Sequence, residues 1–299
     1  MPALSTAFTG NYIPGSYSKK LIRKFHQKLF INQITNADYE GEIKDHGDTV
    51  HIRQIPEIEV RDFTPRTDLN LQEIDAPDMV DLVIDKGLYY AFKSDALEKH
   101  QSDIDYITKA TEEGSTKIKE ILEARYIAAM AVEGAAANRG ATAGAKSGTY
   151  NIGDEDTPLS LTKDNALDFI IDCGSVLDEQ NMPDEGRYMI IPPVIYNRIK
   201  KSEIQKVYIT GDAKSSLRTG NVGRIDRFDI FVSNSFVNDE GKWFPFFGHK
   251  YGVAFATQLV KNEVTPIHNR FGNAHKGLCV YGYKVIKPEA LGVGCVTVA

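Results

Sequence analysis

Between Thr49 and Ile84 apolar and polar residues alternate. Val50 and Ile52 are set off by His51 and Arg53, Ile58 and Val60 flank Glu59, and Val80, Leu82 and Ile84 alternate with Asp81, Val83 and Asp85. A period of two is that of a strand with one apolar face. The polar stretch between the two sets carries Pro65, Asp68, Asn70 and Pro77, so the pattern predicts two strands joined by a long charged tip, a projecting β-hairpin. Neither strand is apolar enough on both faces for the centre of a sheet. A two-stranded ribbon is marginal in water and needs a surface to rest on.

On either side of this ribbon the period changes to that of a helix. After a loose start with Gly10, Pro14 and Gly15, the residues Leu21, Ile22, Phe25, Leu29 and Phe30 recur at helical spacing with basic residues between them, a short amphipathic helix. After the ribbon, Ser102 to Gly134 reads as a long helix with Ile104, Ile107, Ile118, Ile121, Leu122 and Met130 on one stripe, Ser102 as N-cap, Asp103 and Asp105 at the positive end of the dipole and Gly114 as a point of interruption. At about 1.5 Å per residue it would span on the order of 45 Å, a spine rather than a helix of a small domain.

The remainder reads as α+β with local strand pairs. Ala135 to Gly153 is a loop. Thr162 to Glu179 is a helix capped by Thr162, with Leu167, Phe169, Ile170, Ile171, Val176 and Leu177 as its apolar residues. A strand Arg187 to Ile191 is closed by Pro192 and Pro193, and a helix Val194 to Lys201 comes after it. Strands are then expected at Phe228 to Val232, Lys242 to Phe247 and Cys279 to Lys287, with the turn Asn238-Asp239-Glu240-Gly241 supporting a hairpin. No internal repeat is visible.

Charge adds segmentation to this picture. Residues 1 to 37 carry Lys19, Lys20, Arg23, Lys24 and Lys28 and no acid, whereas residues 38 to 113 hold 20 acids against 8 bases, within a net charge of −6. A basic arm can touch nucleic acid or an acidic neighbour, but so acidic a body disfavours sequence-specific DNA reading. A mitochondrial presequence is another reading of the basic helix, and the extended arm is preferred because of the alternating strand sequence beyond it. With 42% hydrophobic and 25% charged residues the composition is that of a globular protein. Apolar runs such as Ile190-Ile191 are far shorter than the roughly 20 residues of a membrane helix. The three cysteines, Cys173, Cys279 and Cys295, are odd in number and without CxxC spacing, and read as buried free thiols in a reduced compartment. The first 30 residues lack a secretory signal, so cytoplasm is the expected site of synthesis.

The chain offers little chemistry. Gly220-x-x-Gly223 lacks the spacing that cradles a phosphate, and Ser175 has no GxSxG elbow around it. His268 and His275 match no zinc pattern, and Asp154-Glu155-Asp156 lacks the alternation and terminal Glu of a calcium loop. Arg218, Arg224 and Arg227 read as salt-bridge donors rather than a single-strand platform. No catalytic, cofactor-binding or metal residue is therefore expected, and no enzyme, although a cytosolic hydrolase or transferase with a site assembled from distant residues stays an alternative.

The order of elements resembles the tailed-bacteriophage major capsid proteins with the Hong Kong 97-type fold, and four motifs carry the resemblance. Asp38-Tyr39-Glu40-Gly41-Glu42-Ile43 with Gly47-Asp48-Thr49-Val50-His51-Ile52 is similar to the base of that family's extended loop. Leu177-Asp178-Glu179-Gln180-Asn181-Met182-Pro183, then Gly186-Arg187-Tyr188 and Ile191-Pro192-Pro193, resembles its helix-to-strand passage. Gly223-Arg224-Ile225-Asp226-Arg227-Phe228-Asp229-Ile230-Phe231-Val232-Ser233-Asn234 is the third, with Arg227 standing where the family has a glycine. The last, Gly277-Leu278-Cys279-Val280-Tyr281-Gly282-Tyr283-Lys284-Val285 with Pro288-Glu289, is similar to the closing strand.

The resemblance implies an N-terminal arm (1–37), an extended loop (38–93), a peripheral domain with the spine helix (94–187 and 271–299) and an axial domain (188–270). It further implies hexamers and pentamers that form an icosahedral shell around double-stranded DNA in a virion, assembled in the host bacterial cytoplasm. Expected partners are copies of itself, a separate scaffolding protein because the sequence begins directly with the arm, a portal, decoration proteins, and packaged DNA by non-specific contact, with no membrane. Glu57, Glu59, Arg61, Asp62, Arg66 and Asp68 are the candidate inter-subunit contacts. Lys19, Lys20, Arg23, Lys24 and Lys28 are the candidates to face genome or scaffold. An encapsulin-type nanocompartment shell is the alternative within the same fold.

Overall fold

The computed structural model describes residues 30–36, 49–54, 58–63, 68, 71–73, 79–95, 106–210, 223–268 and 272–298. A short helix α1 (Ile31–Ile34) leads into the ribbon strands β1 (Thr49–Arg53) and β2 (Met79–Val83), then β3 (Lys86–Asp95) and the long helix α2 (Tyr106–Met130). After β4 (Leu159–Leu161) come α3 (Ala166–Glu179), β5 (Arg187–Ile191), α4 (Pro193–Thr210), β6 (Arg224–Ile225) and β7 (Phe228–Val232). The chain closes with β8 (Lys242–Trp243), β9 (Phe246–His249), β10 (Val253–Pro266), β11 (Gly272–Val285), β12 (Leu291–Val293) and β13 (Val296–Val298).

Two sheets share the spine helix α2. One has the order β10-β11-β3, all antiparallel. Leu122 of α2 packs with Phe255 and Tyr281 on one face of it, while Val50 and Ile52 of β1 and Leu82 of β2 cover Ala254, Ala256 and Val280 on the other. The second sheet has the order β12-β9-β5-β7-β6. Its central strand β5 is buried at every residue, as a strand covered on both faces must be. Met189 and Ile191 face Phe169, Ile170, Cys173 and Leu177 of α3, and Tyr188 and Ile190 face Tyr126, Ile127 and Met130 of α2. A small third sheet joins β4, β13 and β8.

The predicted elements are largely present, with differences that have physical causes. Ser102, Asp103 and Asp105 lie outside the described residues. The spine ends at Met130 rather than Gly134 and is about 37 Å long over its 25 described residues. It runs unbroken through Gly114, where a Cβ would come within 3.0 Å of the Tyr90 ring, so the missing side chain lets the helix sit down on β3. Ile121, placed on the apolar stripe by spacing, is 43% exposed.

The second helix starts at Ala166. Thr162 does not cap it, because its N–H and Oγ1 both donate to Asn165 Oδ1 (2.7 and 3.1 Å). Ile171 on that helix is exposed. The expected strand Lys242 to Phe247 is two strands: β8 joins β13 and β9 joins β5 and β12, the change of sheet falling at Phe244-Pro245. The turn after Asn238 forms, with Glu240 and Gly241 at φ 49° and 87° and Asp239 bridged to Lys242. The hairpin expected around it does not, since β7 pairs in parallel with β5.

Strand β10 carries no clear alternation and was not expected; a bulge between Leu259 and Lys261 breaks its period of two. Its partner β11 begins at Gly272, seven residues before the apolar run that announced it.

Candidate assembly surface

The ribbon is held at its base. Thr49 to Arg53 pair in register with Val83 to Met79, and His51 Nδ1 lies 2.6 Å from Asp81 Oδ1 on the outer face. Val50, Ile52, Leu82 and Ile84 are buried against the β10–β11 pair. Gly282 makes the close approach possible: a Cβ there would stand 2.4 Å from the Val83 carbonyl oxygen. Gln54 Nε2 donates to the Ile286 carbonyl (3.2 Å) at the point where the ribbon leaves the body.

Between Gln54 and Met79 the described residues form no strand. Glu59, Arg61, Asp62 and Asp68 are there and exposed, whereas Glu57 and Arg66 lie outside the described residues. Arg61 donates to Glu59 Oε2 through Nη2 (2.7 Å) and Nε (3.2 Å), so two of the candidate contacts pair within one subunit. The Glu59 N–H donates to Gln72 Oε1 (2.9 Å), tying the two limbs of the loop together. Apolar groups are the larger exposed feature: Ile58 is 65%, Val60 93%, Phe63 74% and Leu71 85% exposed. The sequence reading put its weight on the charges and missed Phe63 and Leu71, whose signal was only their polar surroundings. Lys19, Lys20, Arg23, Lys24 and Lys28 lie outside the described residues.

Two buried polar junctions hold the body under this surface. Arg187, 1% exposed, donates to the carbonyls of Pro183 (2.8 Å), Met182 (2.6 Å) and Gly174 (3.2 Å) and pairs with Asp178 (2.8 Å), closing the C-terminal end of α3. Arg227 grips both oxygens of the same Asp178 (2.7 and 2.6 Å), and Asp184 is 3.1 Å away. Those carboxylates hold its guanidinium above its ordinary pKa. Of the three arginines read as salt-bridge donors, Arg227 is one; Arg218 lies outside the described residues. At the second junction Glu123 of α2 accepts from the Phe30 N–H and the Ser233 hydroxyl. Its helical spacing with Ile127 and Met130, four and seven residues on, was the only sequence sign that an acid stood in the apolar stripe.

Reactive chemistry finds little support in this arrangement. Among the described residues no group of three His, Cys, Asp or Glu is placed to hold a metal. Burial pushes the Cys173 thiol well above its ordinary pKa and that of Cys295 up to about 11, the reverse of an activated nucleophile. Ser175 lies on α3 and donates to the Ile171 carbonyl. A groove of about 960 Å³ between α2 and the first sheet is bordered by Tyr90, Thr111, Leu122, Phe255, Thr257 and Cys279, with no histidine on its walls.

The model of the phage capsid protein family matches residues 82–291, which include the spine helix and strands β3 to β11. The chain belongs to the phage capsid protein family. Solved structures agree in fold. A chain from Mycobacterium phage Che8 superposes with TM-score 0.75 at 21% identity, covering 95% of this chain and 97% of that one. The capsid of Cyanophage P-SCSP1u gives 0.68 at 14% identity, covering 95% and 92%. The capsid of an empty GTA particle gives 0.68 at 12% identity, covering 99% of each chain. No curated protein matches this sequence. This capsid protein thus has the α+β, Hong Kong 97-type fold and is a structural component of a virion shell built from copies of itself, not an enzyme. Neither the encapsulin reading nor the enzyme reading is better supported.

Proposed function

We propose that this capsid protein assembles as hexamers and pentamers into an icosahedral shell around a double-stranded DNA genome, and that the loop tip is the contact that joins neighbouring copies. The observation that carries the contact is the exposure of Ile58, Val60, Phe63 and Leu71 on a loop whose ribbon base is buried in its own subunit. Burying a large apolar side chain is worth roughly 1.5–3 kcal/mol, whereas an exposed ion pair contributes about 0–1 kcal/mol. The apolar residues therefore supply the affinity, and Glu57, Glu59, Arg61, Asp62, Arg66 and Asp68 form a rim of ion pairs that fixes register. Repetition by symmetry turns modest contacts into a closed shell.

The four-part division into arm (1–37), loop (38–93), peripheral (94–187, 271–299) and axial (188–270) parts goes with this reading. Strands β3 and β10, which both pair with β11, form the seam between the parts. The lysines and Arg23 of the arm face genome or scaffold. A separate scaffolding protein, a portal and decoration proteins complete the partners, with assembly in the host cytoplasm.

Negative-stain microscopy and sedimentation of the full-length chain, alone and co-expressed with scaffolding candidates, test the proposal. Regular shells are expected only with the scaffold present. Regular shells from the capsid protein alone would remove the scaffold from the account, and a stable small oligomer under all conditions would overturn the assembly reading.

A further inference from the structure

Glu123 is the one acid buried among the described residues, at 0% exposed, and it stands where three parts of the chain meet. Its Oε2 accepts from the backbone N–H of Phe30 at 3.1 Å, in the segment by which residues 1–29 join the described fold. Its Oε1 accepts from the hydroxyl of Ser233 at 3.3 Å, at the end of β7. Ser233 is itself fixed: its N–H donates to the Ile191 carbonyl (3.1 Å) and its Oγ accepts from the Ser235 N–H (3.2 Å). Phe30 and Phe231 add a ring contact with centroids 5.4 Å apart.

We propose that Glu123 is a proton-operated latch, gripping the arm junction and the end of β7 while its carboxyl is neutral and loosening the junction when it ionises. A charge here would have only those two neutral donors to compensate it. Residues 30–36 and 231–235 carry no ionisable side chain. The charged group acting on Glu123 is Glu120, one turn back on α2, which raises its pKa slightly further and is paired with Lys117 (2.5 Å). Burial is the largest effect and, opposed by the two hydrogen bonds, pushes the carboxyl up to about 7. An ionised acid in an apolar core seeks water. The weakest wall is the side that yields. Helix α2 has 25 residues and β7 lies between β5 and β6, whereas residues 30–36 form a single four-residue helix, docked by Phe30 and Ile34 and bonded from Asn36 to Val253 and Phe255. The inference goes beyond shell formation and does not depend on it.

Hydrogen exchange by mass spectrometry on the full-length chain tests the latch. Once corrected for the intrinsic pH dependence of exchange, protection of peptides spanning 30–36 should fall at least about tenfold between the carboxyl's ordinary 4.5 and its buried value of about 7, with the midpoint between the two and a plateau above, while α3 and β5 hold steady. Glu123→Gln should stay protected across the range. Ser233→Ala removes a donor that favours the charged form and should move the midpoint upward, a readout that stands even if the Gln variant folds poorly. A flat wild-type profile, the same pH dependence in Glu123→Gln, or an unmoved midpoint in Ser233→Ala overturns the proposal. Failure here would leave assembly by the loop untouched.

Discussion

Arg187 shows how one residue can fix a junction of elements. Its guanidinium meets three carbonyls and Asp178 without access to water, so removing it leaves the carbonyls without that donor, while Asp178, 38% exposed at its side chain, keeps Arg227. Leaving a buried acceptor unpaired costs about 1–3 kcal/mol, and Arg187→Met is expected to lose about 3 kcal/mol in denaturant unfolding of the isolated subunit. Arg227→Ala, 30% exposed at its side chain, should lose less, about 1 kcal/mol. His249 gives a pH-dependent counterpart. It is 4% exposed, its Nε2 donates to the Glu185 carbonyl (2.7 Å) and its Nδ1 accepts from the Tyr251 N–H. Burial first, then nearby Arg187 and Lys250, lower its pKa from the ordinary 6.5. Between the two values the unfolded chain binds a proton that the folded one refuses, so stability declines as pH falls below about 6.5. Melting temperature followed against pH should show this decline in the wild type and a flatter line in His249→Asn. Such residues were hard to see in the sequence. A buried arginine and a buried glutamate look like surface charges until a fold surrounds them, although the spacing of Glu123 with Ile127 and Met130 was a legible hint.

At the scale of elements, the ribbon was legible because its strands pair locally and alternate cleanly, and α2 because its stripe is long. What the sequence concealed was pairing over distance. The match of β5 with β7 in parallel left no local signature, and β10 lost its alternation to a bulge. The position of the ribbon on its own subunit, rather than wholly on a neighbour, was also invisible, because the signal for it is a gap: Gly282, whose lack of a side chain admits the Val83 carbonyl. Gly282→Ala should lift β1 and β2 from the sheet, costing about 1–3 kcal/mol as overpacking does and deprotecting Val80 to Val83 in hydrogen exchange while α3 is unchanged. Equal protection in variant and wild type would show that the ribbon is held elsewhere.

For the whole molecule, the decisive comparison is between apolar and ionic contact. Val60→Asp is expected to abolish shells while leaving the circular dichroism of the subunit intact, and charge reversal of Arg61 and Arg66 to impair assembly without changing the spectrum. Shells held chiefly by the apolar tip should also survive salt of about 1 M, which screens exposed charge within about 3 Å; dissolution at that salt, seen by light scattering, would return the weight to the ion pairs.

The last strands hold a consequence for the order of events in the cell. Residues 291–293 complete the edge of the large sheet against β9, and residues 296–298 sit between β4 and β8, which lie far apart in sequence. Likewise β3 cannot find its partner until β11 has been made. Three of the sheets thus stay incomplete until residues 272–298 have been made, and folding waits on contacts of long sequence separation, which close slowly.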